Sequence, residues 1–361
     1  MKNTVHNFNA GPSILPKTVF RQASEAIVEY KNSGLSILEI GHRTPIFQEV
    51  MDEARALACE LMQLDDSHEV LFLHGGASTQ FFQVPMNFLG ENDLASYADT
   101  GVWSQKAMKE ARLYGHVEMA CSGEENQYRS LPEQLQVSRT AKYLHLTTNN
   151  TIYGTQWQNL DQFYAAGVPL VADMSSDILS RDIPFNRFDL IYAGAQKNVG
   201  AAGVNLIVIN KQFAEKTARK IPSMMDYRNH IDQGSMLNTP PVFAVYICML
   251  TLRWLKEQGG VQAIEVVNSQ KASLLYDTID ANPVFRGLVA KADRSKMNAC
   301  FAIDDETLEK EFIALCKAEG MIGIKGHRSA GGFRISLYNA LPLSSVQEIT
   351  ALMRHFATKK G

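Results

Sequence analysis

Three features of the chain could do chemistry together: Lys197 in DLIYAGAQKNVGAAG, Asp173 in VPLVADMSSD, and the turn HGGAST that begins at His74. A lysine held unprotonated by burial or by a neighbouring cation is a competent nucleophile for a carbonyl and can form a Schiff base. An aspartate at the end of an apolar strand needs a cation or several donors to offset its desolvation, and a protonated pyridine nitrogen would serve. Glycines at a strand-to-helix turn bring backbone N–H groups close to an anion, and the helix N-terminus adds partial positive charge, so Gly76, Ala77 and Ser78 could hold a phosphate. Each feature alone has a plainer reading. The turn is neither a Walker sequence nor GxGxxG and would pass as an ordinary tight turn. An aspartate at a strand end is commonly a helix cap or an ion-pair partner, and a lysine before a glycine turn more often serves structure or phosphate binding. The spacing reverses that judgement, because Lys197 follows Asp173 by 24 positions at the end of the next apolar run.

Such residues need strand ends to hold them. The runs EVLFLHG, DLASYAD, KYLHLTT, VPLVADM, DLIYAGA and VNLIVIN are separated by stretches of helical period such as WSQKAMKEARLYG and LDQFYAAG. Strand and helix alternating in this way predict an α/β fold with a mainly parallel sheet covered by helices. The helix PVFAVYICMLTLRWLKEQ opens on proline and closes on Gly259 and Gly260, the expected start and stop signals. A long linking helix follows it, and then NACFAI, a helix to Lys317, MIGIKGH, GFRISLY and a final helix. The expected organisation is an N-terminal arm over 1–15, a large domain over 16–260 and a small α+β domain over 261–361.

Composition narrows the partners. The 361 residues are 45% hydrophobic with a formal net charge of -3, which fits neither a disordered chain nor a general nucleic-acid binder. The apolar run Pro240 to Leu252 is shorter than the roughly 20 residues a membrane span needs. MKNTVHNFNAGPSILP has neither a secretory nor a transit pattern, so a cytoplasmic location is expected. Five scattered cysteines and no HExxH cluster predict free thiols and no metal.

The order of glycine turn, strand-end aspartate and lysine beside Gln196 resembles the fold-type I enzymes that use pyridoxal phosphate (PLP), specifically the class V aminotransferases. FNAGPSILP, EIGHRTPIFQEVMDEA and KGHRSAGGFRISLYNALP extend the resemblance over essentially the whole chain and toward the branch acting on phosphoserine. The resemblance implies that Lys197 tethers PLP and serves as base, that Asp173 pairs with the ring nitrogen and that Trp103 stacks on the ring. Gly76, Ala77, Ser78 and Gln196 would hold the cofactor phosphate, and Thr151 would contact the ring hydroxyl region. Asn238 and Thr239, read as the cap of the long apolar helix, would reach the cofactor of the other subunit in a homodimer. Arg334 would take the substrate α-carboxylate, with His42, Arg43, His327 and Arg328 on the distal phosphate or γ-carboxylate. Guanidinium groups suit both anions because they bind oxygens in forked pairs.

The implied reaction is reversible amino transfer between O-phospho-L-serine and 2-oxoglutarate, giving 3-phosphohydroxypyruvate and L-glutamate in serine biosynthesis. Phosphohydroxythreonine, in pyridoxine biosynthesis, is a second substrate the resemblance allows. The chain departs from the pattern at Gly41, where a serine is usual, and at Asn150, where an acid is common, while HGGAST follows the branch with no arginine in that turn. Two rivals stay open: another PLP enzyme of the same fold, such as a cysteine desulfurase or an alanine-type aminotransferase, and a non-catalytic phosphate-ligand binder. A desulfurase needs a reactive cysteine on a mobile loop, whereas Cys300 falls in a strand-like run and Cys316 in a helical one.

Overall fold

The computed structural model describes residues 5–360; residues 1–4 of the expected arm, and Gly361, lie outside the described residues. The strands in chain order are β1 (His6–Asn7), β2 (His68–His74), β3 (Leu94–Asp99), β4 (His116–Ser122), β5 (Leu144–Thr147), β6 (Leu170–Asp173), β7 (Leu190–Gly194), β8 (Val204–Asn210), β9 (Arg286–Gly287), β10 (Asn298–Ala302), β11 (Met321–Ile322) and β12 (Phe333–Ser336). The helices are α1 (Lys17–Val28), α2 (Pro45–Leu61), α3 (Ala77–Phe88), α4 (Val102–Ala111), α5 (Asp161–Tyr164), α6 (Lys211–Ala214), α7 (Tyr227–Asp232), α8 (Val242–Glu257), α9 (Gly260–Asp280), α10 (Glu306–Ala318) and α11 (Leu343–Lys360).

The main sheet has seven strands in the order β2-β8-β7-β6-β5-β3-β4. Its core from β7 to β4 is parallel, and β8 runs antiparallel to both β2 and β7. VNLIVIN is therefore the reversed strand of a mainly parallel sheet. The connection 195–203 that precedes it is shorter than the dozen or so residues a parallel crossover requires. The sequence reading had no strand for β4, whose run HVEMACS lies at the sheet edge and carries exposed and half-buried residues. LDQFYAAG forms only the single turn α5 before Gly167 takes a left-handed φ of +73°.

Burial on both faces explains the apolar strands. Leu170 and Ala172 of β6 pack into the core shared with α1, α2 and α8, while Val171 faces the second core under α3 and α4. With side chains alternating along the strand, Asp173 falls on the α3 and α4 face. A third core joins α9, α10 and α11 to the antiparallel sheet β12-β10-β9, and Phe8 from the N-terminal segment is buried in it. Of MIGIKGH only Met321 and Ile322 are strand, paired in parallel with β1. Gly323 ends that pairing at a φ of +75°, with the Asn9 backbone where a side chain would sit. Helix α8 is apolar nearly all round, as a buried helix must be. Among the described residues no helix is long and apolar enough to cross a membrane.

Candidate active site

With β8 the only reversed strand of the main sheet, β2, β3, β5, β6 and β7 all end at one edge, and the sequence-predicted residues gather there. Gly76, Ala77, Ser78, Phe81, Trp103, Thr147, Asn149, Thr151, Asp173, Ser175, Ser176, Gln196 and Lys197 line one cavity. Strand ends and the turns after them deliver the predicted ones: the glycine turn follows β2, Trp103 β3, Thr151 β5 and Lys197 β7, while Asp173 ends β6 itself. Crevices at the carboxyl ends of parallel strands are where such sheets bind ligands.

The floor is defined by Asp173 and Lys197. Asp173 is 5% exposed and accepts a hydrogen bond from the Ser175 backbone N–H at 2.9 Å. Burial pushes its carboxyl above the usual range, an effect that the Lys197 charge and the Ser175 contacts oppose. The Lys197 ammonium is driven the other way, down to about 8, by desolvation first; Arg334 adds to the fall, whereas Asp173 and Asp177 counter it. Burial thus biases both groups toward their neutral forms, and a bound cation beside Asp173 would keep that carboxylate charged.

Thr151 joins the two chemistries. Its hydroxyl accepts from Lys197 Nζ at 2.8 Å, and its carbonyl accepts from Arg334 Nη1 at 3.1 Å. The tether candidate and the carboxylate-binding candidate are therefore positioned by a single residue.

A family model described as aminotransferase class-V matches residues 5–349. The chain belongs to the class-V aminotransferases. It is 49% identical over 355 residues to a phosphoserine aminotransferase of Flavobacterium johnsoniae, spanning 98% of this chain and 99% of that one. A phosphoserine aminotransferase of Bacteroides thetaiotaomicron is 50% identical over 97% of this chain and 98% of its own length. Among solved structures, the phosphoserine aminotransferase from Bacillus circulans subsp. alkalophilus superposes with a TM-score of 0.96 at 42% identity, covering 99% of both chains. The PLP-bound enzyme from Trichomonas vaginalis matches with a TM-score of 0.91 at 33% identity, over 97% of this chain and 100% of that one.

The cavity of this class-V aminotransferase fits PLP on its own terms. Two lining residues carry buried polar atoms without a protein partner, Trp103 Nε1 and Thr147 Oγ1. Gly76 caps α3, and the space a side chain would take there is open, which leaves the helix N-terminus accessible to a phosphate. Lys197 Nζ lies 5.9 Å from the centroid of the Trp103 ring.

The mouth is less complete. His327, Arg328 and Arg334 come from the loop before β12 and from β12 itself. Burial lowers the His327 pKa, and Arg334, Arg328 and Lys106 lower it further. None of His327, Arg328, Arg334, His42 and Arg43 lines the cavity itself; Arg334 is held beside it by the Thr151 carbonyl. Arg43 is exposed, while His42 Nε2 is buried without a partner. Asn238 and Thr239 require a correction: the cap of α8 is Pro241, so neither residue caps that helix. They turn instead to the end of β2, where His74 Nε2 meets the Thr239 carbonyl at 2.7 Å and Asn238 Nδ2 at 3.3 Å. Pro240 and Pro241 follow Thr239, and because a residue before proline is pushed out of the helical region, the helix starts only at Val242.

Several cavity residues escaped the sequence reading. Ser175 and Ser176 follow Asp173 directly, and the run SSD after a strand end was the available signal. The segment FNAGPS, which carries part of the family resemblance, packs on Lys197. Ser13 N–H donates to the Gln196 carbonyl at 2.9 Å, and a side chain at Gly11 would meet Lys197 Cγ at 3.4 Å. Asn150 also gains a definite role: its side-chain N–H donates to the Thr100 carbonyl, and its Oδ1 accepts from Ile152 and Tyr153 backbone N–H at 2.9 and 3.1 Å.

Proposed function

We propose that this class-V aminotransferase uses PLP to exchange an amino group between O-phospho-L-serine and 2-oxoglutarate, giving 3-phosphohydroxypyruvate and L-glutamate. The observation that carries the reading is the meeting, in one cavity, of the depressed Lys197 amine, buried Asp173 and Thr151, whose carbonyl holds Arg334 beside it. The full-length relatives near 50% identity, named phosphoserine aminotransferases, support the substrate. Bound PLP would supply an electron sink for the carbanion left when the α-proton departs. Lys197 would tether the cofactor and would serve as the amine that moves the α-proton. Asp173 would hold the positive charge of the ring nitrogen, Trp103 would cover the ring, and Gly76, Ala77, Ser78 and Gln196 would bind the cofactor phosphate. Thr151 keeps Lys197 and Arg334 in register, and Arg334 binds the α-carboxylate common to both substrates.

The finer reading extends further. The protein acts in the cytoplasm in serine biosynthesis, accepts phosphohydroxythreonine for pyridoxine biosynthesis, and divides into the arm, large and small domains at residues 15 and 260. It works as a homodimer in which His42 and Arg43, with Asn238 and Thr239, serve the neighbour's site. The exposed apolar side chains Phe20, Ile27, Val28, Leu35 and Leu38, which lead into the His42 loop, support that assembly.

The test of function separates the two anion sites. Each charge-assisted bond contributes about 1.5–3 kcal/mol, so Arg43→Ala and Arg328→Ala should each lower kcat/KM for phosphoserine by roughly ten- to a hundredfold and affect serine much less. Arg334→Ala should weaken both substrates together. Equal losses for serine and phosphoserine in the Arg43 and Arg328 variants would remove the phosphate assignment.

A further inference from the structure

Helix α4 carries Trp103 into the cavity, and one turn later it carries Lys106. Residues three apart share a helix face, and here the geometry is explicit, with Lys106 Nζ 4.8 Å from the Trp103 ring centroid. No carboxylate lies within ion-pair distance of Lys106 among the described residues, and its ammonium rests over the indole. The ammonium is also within electrostatic reach of His327, together with Arg328 and Arg334. Positive charge near His327 thus comes from two elements, the segment leading into β12 and α4.

We propose that Lys106 is a specificity-determining residue, an ammonium parked on the Trp103 ring at the cavity mouth that favours a substrate with a distal dianion over one with a distal monoanion. The proposal rests on the phosphoserine reading above. At neutral pH a serine phosphate carries close to two charges, whereas the glutamate γ-carboxylate carries one. Since Coulomb attraction scales with the product of charges, a cation outside direct contact gains about twice as much from the first as from the second. The indole face holds the ammonium near the mouth without neutralising it, which a carboxylate partner would do.

The experiment compares kcat/KM for phosphoserine and for glutamate in the parent holoenzyme, Lys106→Gln and Lys106→Arg, at low and high salt. An exposed lysine acts weakly, so Lys106→Gln should lower the phosphoserine value about fivefold and the glutamate value about twofold. Lys106→Arg should restore the ratio, and added salt should shrink the gap between parent and Lys106→Gln. A structural role for Lys106 would depress both substrates equally and with no dependence on salt; that result, or an unchanged ratio, overturns the proposal. A parent enzyme that turns over phosphoserine while the ratio stays fixed sinks this proposal alone. A parent that does not turn over phosphoserine sinks the substrate reading and this proposal with it.

Discussion

The floor and the mouth of the cavity are built on different principles. Asp173 and Lys197 sit at the ends of adjacent parallel strands, above a buried layer in which His145 Nε2 meets the Tyr192 hydroxyl at 2.8 Å. Burial lowers the His145 pKa to about 3, so that layer stays uncharged and offers no competing partner to Asp173. The mouth is assembled from loops: Arg328 and Arg43 are exposed, and the His327 ring hydrogen-bonds within its own loop, to Ser329. A floor wired through the sheet suits chemistry common to every substrate. A mouth of solvated cations on loops suits selection among substrates, because it can change without disturbing the strand ends.

The largest test of this division lies at the floor. Lys197→Ala removes the proposed tether and base together and should reduce transamination by at least about a thousandfold, within the range for losing a general base. After borohydride treatment of the parent, the cofactor should be recovered on Lys197 and on no other lysine. Asp173→Asn keeps the volume and leaves a buried cation unpaired, a cost of roughly 3–5 kcal/mol and so a loss on the order of a hundredfold or more. Both variants should impair phosphoserine and glutamate alike. A floor variant that selectively spared one substrate would break the division.

Lys197 also sets a pH dependence in the cofactor-free protein. Only the neutral amine attacks a carbonyl, and its depressed value of about 8 raises the neutral fraction well above that of an ordinary lysine. The rate of covalent PLP capture, followed by absorbance, should therefore rise about tenfold per pH unit below pH 8 and level off above it. A rate still climbing at pH 10 would mean that the amine is not desolvated as the cavity requires.

The mouth can be tested by mixing subunits. If His42 and Arg43 serve the partner's cavity, Lys197→Ala and Arg43→Ala subunits form mixed dimers with one complete site. At equal mixing, half the dimers are mixed and each has one site of two, so activity should recover to about a quarter of the parent. No recovery, despite demonstrated exchange, would return Arg43 to its own chain.

How much of this was legible in the sequence follows the same division. Lys197, Asp173 and the HGGAST turn could be placed because a buried strand followed by a polar residue leaves one position for that residue, the strand end. The strands themselves stood out as apolar runs, since both sheet faces are covered. The reversal of β8 depended on the length of its connection, which alternation alone does not reveal. Ser175 and Thr147 were missed because short polar residues at strand ends have many ordinary uses. Asn238 and Thr239 were misread as a cap because local pattern favoured one, whereas the His74 contact that holds them is 164 and 165 residues away. The mouth was legible only as two His-Arg pairs, with nothing local to say how far from the cavity floor either would sit.

The smallest expected effect belongs to Asn150, which links floor and mouth through the neighbouring Thr151. Asn150 is 1% exposed and both ends of its amide are used: the N–H on the Thr100 carbonyl, the Oδ1 on two backbone donors. A carboxylate here would face the Thr100 carbonyl with no proton to donate. Asn150→Asp should therefore destabilise the protein by about 1–3 kcal/mol, the cost of a lost buried hydrogen bond, measured by denaturant unfolding. The loss should shrink as pH falls, because a protonated carboxyl can donate to that carbonyl again. Since Thr151 positions Lys197 and Arg334 together, any change in kcat/KM should be shared by phosphoserine and glutamate. A stability unchanged at neutral pH would show that the Thr100 carbonyl finds another donor. An effect on one substrate alone would show that the turn belongs to the mouth rather than to the link between mouth and floor.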